Sequence, residues 1–214
     1  MSTKPDKKDQ ILAAAEKLFA LHGYDSASVR DICQEADVNV AMVNYYFGSK
    51  EGLFREMVAQ KATFMRGKLE ALVASRNLSS MEKMDIAIEH QVNRMFDHKP
   101  FTMCVIREMS KSNGDSLRKI MSDIFLPNMK LLRSIINQGI RSAEFRKVDV
   151  ELTIATIIGA IWNILSSGDL MMAGSGKSSA SLTNQETLKK RLIRHLHQLI
   201  RNHLLIQAYG AVKN

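Results

Sequence analysis

The sequence predicts an all-α fold in two helical domains. Three observations carry that expectation. Only three of the 214 residues are proline, while Ala, Leu, Met, Lys, Arg and Gln, all good helix formers, are abundant. Apolar residues recur at three- and four-residue spacing, and little of the chain alternates at the strand period. Capping signatures, Ser or Thr followed three residues later by an acid, stand where several of these stretches begin.

The first helix is expected to start near Asp6 or Asp9 and to end near His22, with Ile11, Leu12, Ala15, Leu18 and Phe19 as its buried stripe. Gly23 stands where a left-handed cap is needed. Ser28 with Asp31 opens a short helix to about Ala36. Asp37-Val38-Asn39 is a brief turn, and Asn39 caps a third helix from Val40 to Phe47. Isolated helices this short are marginal in water, so both must be held by packing on the first.

After Gly48-Ser49 a long helix runs from Lys50 toward Ser75, striped by Leu53, Phe54, Met57, Val58, Met65, Leu69 and Leu72. Ser79 with Glu82 starts another, from Ser80 to about His98. Pro100 restarts a helix that Asn113-Gly114 breaks. The next runs from Asp115 to about Ser142, with Pro127 expected to kink or split it. Asp149–Ser167 is apolar on nearly every side and is therefore expected to be buried on nearly every side. Gly168–Leu182, rich in Gly and Ser, reads as a mobile loop. Thr183 and Glu186 cap a final helix to about Ala208, striped by Leu188, Leu192, Leu196, Leu199 and Ile200.

Composition narrows the function. Hydrophobic residues make up 45%, too many for a disordered chain. Two cysteines, Cys33 and Cys104, form no disulfide framework, point to the cytoplasm and read as inert buried thiols. The longest apolar run, Ile154–Leu165, is shorter than the roughly 20 residues of a spanning helix, so no membrane association is expected. Gly174-Ser175-Gly176-Lys177-Ser178 lacks the first glycine and the strand of a phosphate-binding loop. The six histidines show no metal spacing, and no catalytic grouping can be assembled. Neither metal nor cofactor is expected, nor an enzyme.

Helix, short helix, tight turn, short helix within about 40 residues is the helix-turn-helix plan. In that plan the second short helix enters the major groove with its N-terminal residues at base edges. Here it offers Asn39, Val40, Ala41, Met42, Asn44, Tyr45 and Tyr46. Asn44 suits a paired contact to adenine, and Val40, Ala41 or Met42 a thymine methyl. The tyrosines, Ser28 and Lys50 suit phosphate oxygens. Arg30 adds a cation near the same edge.

Residues 7–60 resemble the DNA-binding domain of the TetR family of bacterial transcription regulators. The matching residues are Ile11-Leu12-Ala13-Ala14-Ala15, Phe19, His22-Gly23-Tyr24, Ser28-Val29-Arg30-Asp31-Ile32, Ala36 and Val38. The most specific block is Tyr45-Tyr46-Phe47-Gly48-Ser49-Lys50-Glu51-Gly52-Leu53. The resemblance implies a homodimeric regulator on double-stranded DNA, usually a repressor and less often an activator, released by a small molecule. It implies phosphate contacts at Ser28 and Lys50 and a reading helix from Asn39 to Tyr46. Three positions depart from the family pattern: Asp37 where Gly is usual, Asn44 where an aromatic is usual, and Val40 where a polar or basic residue is usual. Asp37 is expected to carry the turn in a left-handed conformation. A helical protein-binding adaptor is the alternative.

The division expected is 1–48 for DNA binding and 49–214 for effector binding and dimerisation. Met95, Phe96, Met103, Arg107, Phe125 and Trp162 are expected to border an apolar effector pocket, Arg107 meeting an anionic group. Ile157, Ile161, Leu192, Leu196 and Leu199 are expected to pair two copies through a four-helix bundle. Two-fold symmetry then implies a pseudo-palindromic operator. The formal charge is +8, yet residues 1–70 hold 10 basic and 10 acidic side chains. Any electrostatic case for DNA thus rests on local placement of Lys4, Lys7, Lys8, Arg30 and Lys50.

Overall fold

A computed structural model describes residues 6–110, 115–173 and 185–206, apart from side chains at 115–118, 120, 121 and 168–173. The described residues form nine helices and no strand: α1 Lys7–His22, α2 Val29–Glu35, α3 Val40–Phe47, α4 Lys50–Ala74, α5 Ser80–Asp97, α6 Lys99–Ser110, α7 Asp115–Arg141, α8 Val150–Ala173 and α9 Gln185–Leu204. They pack into two compact units: Met1–Phe64 with His98–Leu126, and Met65–Asp97 with Pro127–Asn214. Packing thus divides the chain differently from the functional division expected at residue 48. The latter remains a statement about which segment binds what.

In the first unit α1 buries Ile11, Leu12, Ala15, Leu18 and Phe19, as its spacing predicts. Against it pack Ile32 and Cys33 of α2, Val43 of α3, Leu53, Phe54, Met57 and Val58 of α4, and Phe101, Cys104 and Val105 of α6. An aromatic cluster joins them: Phe54 lies edge-on to Phe19 at 5.4 Å and tilted to Tyr24 at 4.9 Å. Such pairs stabilise by about 0.5–1.5 kcal/mol beyond burial. Glu16 of α1 is held by Lys61 at 2.8 Å, and Glu35 by Lys17 at 2.7 Å.

In the second unit α5 packs against α8 and α9. Its first turn is capped twice. Ser79 and Glu82 exchange the expected bonds, Glu82 N donating to Ser79 Oγ at 3.2 Å and Ser79 N to Glu82 Oε2 at 2.8 Å. The Glu144 carboxylate also accepts from the Ser80 and Met81 amides at 2.7 and 2.9 Å, a negative charge at a helix N-terminus. Gly139 admits Phe145, whose ring would stand 2.2 Å from a Cβ there.

Four expectations are corrected. Pro127 does not split α7, which is continuous through it. Helix α8 runs on through Gly168–Ala173, expected as loop, while 174–182 lie outside the described residues. Nor is α8 buried all round: Thr153, Ile154, Ile157, Ile161 and Leu165 are buried, whereas Leu152 is 66% exposed. Its segment Val150–Ser167 is long and apolar enough by length and composition to cross a membrane, but its buried face serves this unit's core. Helix α9 ends at Leu204, short of the Ala208 expected. The Asn113-Gly114 break and the Thr183 cap lie outside the described residues.

Candidate nucleic-acid interface

Short-range hydrogen bonds set the geometry of α2, the turn and α3. Ser28 Oγ accepts from the Asp31 amide at 3.1 Å, and Asp31 Oδ2 accepts from the Ser28 amide at 3.1 Å, completing the capping box. The Ser28 hydroxyl also donates to Asp31 Oδ2 at 2.6 Å. These bonds hold the Asp31 carboxyl below the usual carboxylate range. They also commit the hydroxyl proton expected for a phosphate.

Asp37 then adopts φ 51, the left-handed conformation expected where glycine is usual. The chain reverses in three residues, with the Val38 amide donating to Cys33 O at 3.0 Å. Asn39 caps α3, its Oδ1 accepting from the Ala41 amide at 2.9 Å. Gly48 ends α3 at φ 72, a value that favours glycine.

The burial of α3 divides the expected reading residues. Val43 is fully buried, and Met42 and Tyr46 are half-buried against the first unit's core. Asn39, Val40, Ala41, Asn44 and Tyr45 are exposed, Tyr45 at 82%. Arg30 is exposed on α2. Met42 and Tyr46 therefore serve packing, and the outer face comprises Val40, Ala41, Asn44 and Tyr45. Tyr45 stands edge-on to Tyr46 at 5.1 Å.

Lys50 is half-buried rather than free. It donates to Asp25 O at 3.1 Å and lies 4.6 Å from the Tyr24 ring centroid, tying the loop after α1 to the start of α4. Lys8 pairs with Glu56 at 2.7 Å, which raises its pKa. Lys4 lies outside the described residues. Sequence reasoning missed the role of Gly52. A Cβ there would stand 2.0 Å from Phe47 O, so this glycine lets α4 begin hard against the end of α3.

The other expected sites are rearranged. Met103, Arg107 and Phe125 fall in the first unit, and Met95, Phe96 and Trp162 in the second. Met95 and Phe96 are fully buried, Met103, Phe125 and Trp162 half-buried. Arg107 is exposed, its Nη1 lying 3.2 Å from where a Gly23 Cβ would be. That position favours a cation, being the C-terminal end of α1. Of the residues expected to pair two copies, Ile157, Ile161, Leu192 and Leu196 are buried within the chain, and only Leu199, 40% exposed, offers surface. On that face α8 and α9 carry the second unit's own core.

Comparison with known proteins bears on both halves. Residues 11–57 match the family described as bacterial regulatory proteins, tetR family, and residues 54–175 match the YsiA-like protein C-terminal region. The chain is 30% identical over 146 residues, 66% of its length, to a probable HTH-type transcriptional regulator, YttP of Bacillus subtilis (strain 168), of which it covers 69%. Among solved structures it resembles the fatty acid degradation regulator FadR from Bacillus halodurans, with TM-score 0.69 and 21% identity over 90% of this chain and 97% of that one. It also resembles FadR from Bacillus subtilis in complex with stearoyl-CoA, with TM-score 0.66 and 21% identity over 86% and 97%. At such identity these structures establish the fold alone.

Proposed function

The chain belongs to the TetR family of bacterial regulatory proteins, and from that premise we propose that it is a cytoplasmic, homodimeric repressor released from a pseudo-palindromic operator by a small molecule. The observation that carries the DNA-binding part is the outer face of α3. Its cap and turn are fully bonded, Val43 anchors it, and Val40, Ala41, Asn44 and Tyr45 remain exposed. An Asn amide reads adenine in pairs of hydrogen bonds, small apolar groups meet thymine methyls, and a tyrosine hydroxyl reaches phosphate. Ser28, Arg30 and Lys50 contribute backbone contacts, Ser28 by turning its hydroxyl from Asp31.

Dimerisation is supported by apolar surface on the last two helices, Leu152 on α8 and Leu199 on α9. The effector belongs to the helical region after residue 48 and is apolar with an anionic group. The likeness of this fold to the B. subtilis protein solved with stearoyl-CoA supports an acyl chain as the apolar part.

The test is a gel-shift titration on the protein's own promoter region at several salt concentrations. Specific binding that falls steeply as salt rises is expected, because phosphate contacts release counterions. Asn44→Ala with Tyr45→Ala should reduce affinity at least tenfold without altering the fold. Equal affinity for promoter and unrelated DNA would overturn the reading.

A further inference from the structure

Arg94 on α5 is a half-buried cation of the second unit for which the described residues supply no partner. Its Nε is shielded from solvent and donates no hydrogen bond, and no described carboxylate pairs with it. One turn earlier His90 Nδ1 is buried and equally unpartnered. Residues four apart share a helix face. The same stripe carries Ala87 and Lys83, both buried.

Lys83 shows how this interior treats a cation with a structural task. Its Nζ donates to Gln138 Oε1 at 3.0 Å and to Val73 O at 3.4 Å, joining α5 to α7 and α4. Asp85, the buried acid of α5, is bonded instead to Arg201 of α9 and lies 4.0 Å from His197. Glu89 is 3.7 Å from the same histidine. The acids of α5 near this point are thus engaged toward α9, and none answers Arg94. Burial pushes the pKa of Arg94 down. Burial first and Lys68 second push that of His90 down, against a smaller opposite pull from Glu89.

An unpaired buried charge is among the most unfavourable arrangements a core can hold. Such orphans call for an explanation beyond stability, and they concentrate at functional sites. A guanidinium presents a planar fork of donors that matches an oxyanion in two parallel bonds, and an imidazole nitrogen one turn away can add a third. The core of the same unit includes Met65, Met84, Met95 and Phe96, side chains suited to an adaptable apolar wall.

We propose that Arg94, assisted by His90, anchors an oxyanion, carboxylate or phosphate, on an otherwise apolar small molecule taken into the second unit. The proposal rests on the effector-responsive reading above and moves the anionic contact from exposed Arg107 to half-buried Arg94, whose Nε is shielded from solvent.

Calorimetry on the full chain, with dodecanoate, dodecyl phosphate and dodecanol each below its micelle concentration, tests it. At least one anion should bind at least tenfold more tightly than dodecanol, and the two anions separate carboxylate from phosphate. Arg94→Met should abolish that preference while leaving dodecanol unchanged, and Arg94→Lys should retain part of it. Without ligand, Arg94→Met should melt above the native protein, because it removes an uncompensated charge; a structural arginine would give the reverse. If Arg94→Met does not accumulate, Arg94→Gln in the same titration decides. An unchanged preference in the variant, or no preference in the native chain, overturns the proposal. A native chain that binds promoter DNA but neither anion removes the Arg94 site alone. One that binds an anion but no promoter DNA removes the regulator reading and leaves the site.

Discussion

Gly52→Ala and Gly67→Ala add the same methyl group to the same helix, α4, and should move stability in opposite directions. At Gly52 the new Cβ would stand 2.0 Å from Phe47 O and 3.2 Å from Phe47 C, where ordinary contact begins at 3.4 Å. About 1.4 Å must therefore be opened against the oxygen. The obstacle is backbone at the end of α3, not the swinging tip of a side chain. Overpacking of this kind costs about 1–3 kcal/mol. In a chain of this size each kcal/mol moves the melting temperature by about 2–4 °C. At Gly67 nothing lies within 4 Å of the new Cβ. There alanine's better helix propensity should stabilise by about 1 kcal/mol. Urea denaturation followed by circular dichroism gives both values. Because Gly52→Ala displaces the end of α3, the helix proposed to face DNA, it should also weaken promoter binding, and Gly67→Ala should not. The reasoning fails if Gly52→Ala matches the native protein in both assays, or if both variants are destabilised alike.

Other expectations follow from individual contacts. Ser28→Ala removes the α2 cap and should destabilise the first unit by about 1 kcal/mol in the same denaturation assay. Because Ser28 lowers the Asp31 pKa from its ordinary 3.8, the Asp31 contribution is complete above that value and disappears as pH falls through the lower folded pKa. Ser28→Ala should therefore flatten the acid limb of a stability–pH curve. Asp37→Val places a β-branched residue at φ 51 and should lose about 1–2 kcal/mol, whereas Asp37→Gly should hold its melting temperature. Leu152→Glu with Leu199→Glu should shift the mass by light scattering from dimer to monomer at micromolar concentration. A native monomer would refute the proposed pairing.

The elements legible in the sequence are those settled by neighbours three or four residues away. The Ser28–Asp31 and Ser79–Glu82 caps and the Asn39 cap occur as their spacing predicts, since each bond closes within one turn, and Asp37 is left-handed as the family resemblance implied. The core stripe of α1 was readable because helical period alone places those residues on one face. Gly23 shows the limit. Its φ of 81 fits a residue that only glycine fills easily, but its ψ of 169 is extended rather than left-handed helical.

What period could not supply was the partner of each face. Helix α8 is apolar on nearly every side, yet its described buried side chains lie on one face while Leu152 is exposed. Isoleucines read as a meeting surface for a second copy instead fill the chain's own core. Met42 and Tyr46 sit among the residues of a reading helix but turn inward, because α3 is short enough that half its surface must be packed to hold it. Arg107 and Arg94 look alike in the sequence. One ends exposed beside the C-terminus of α1, the other half-buried with its Nε shielded and no described counter-ion.

The sequence by itself determined the helical class, the helix starts, the turn between α2 and α3, and the family. These rest on backbone propensity and on hydrogen bonds closed within a few residues. Only the tertiary structure decided which residues of α3 face outward, how α6 joins the first unit, and that the shielded Nε of Arg94 meets no described partner. Burial and charge pairing depend on residues tens of positions apart, brought together by the packing of whole helices.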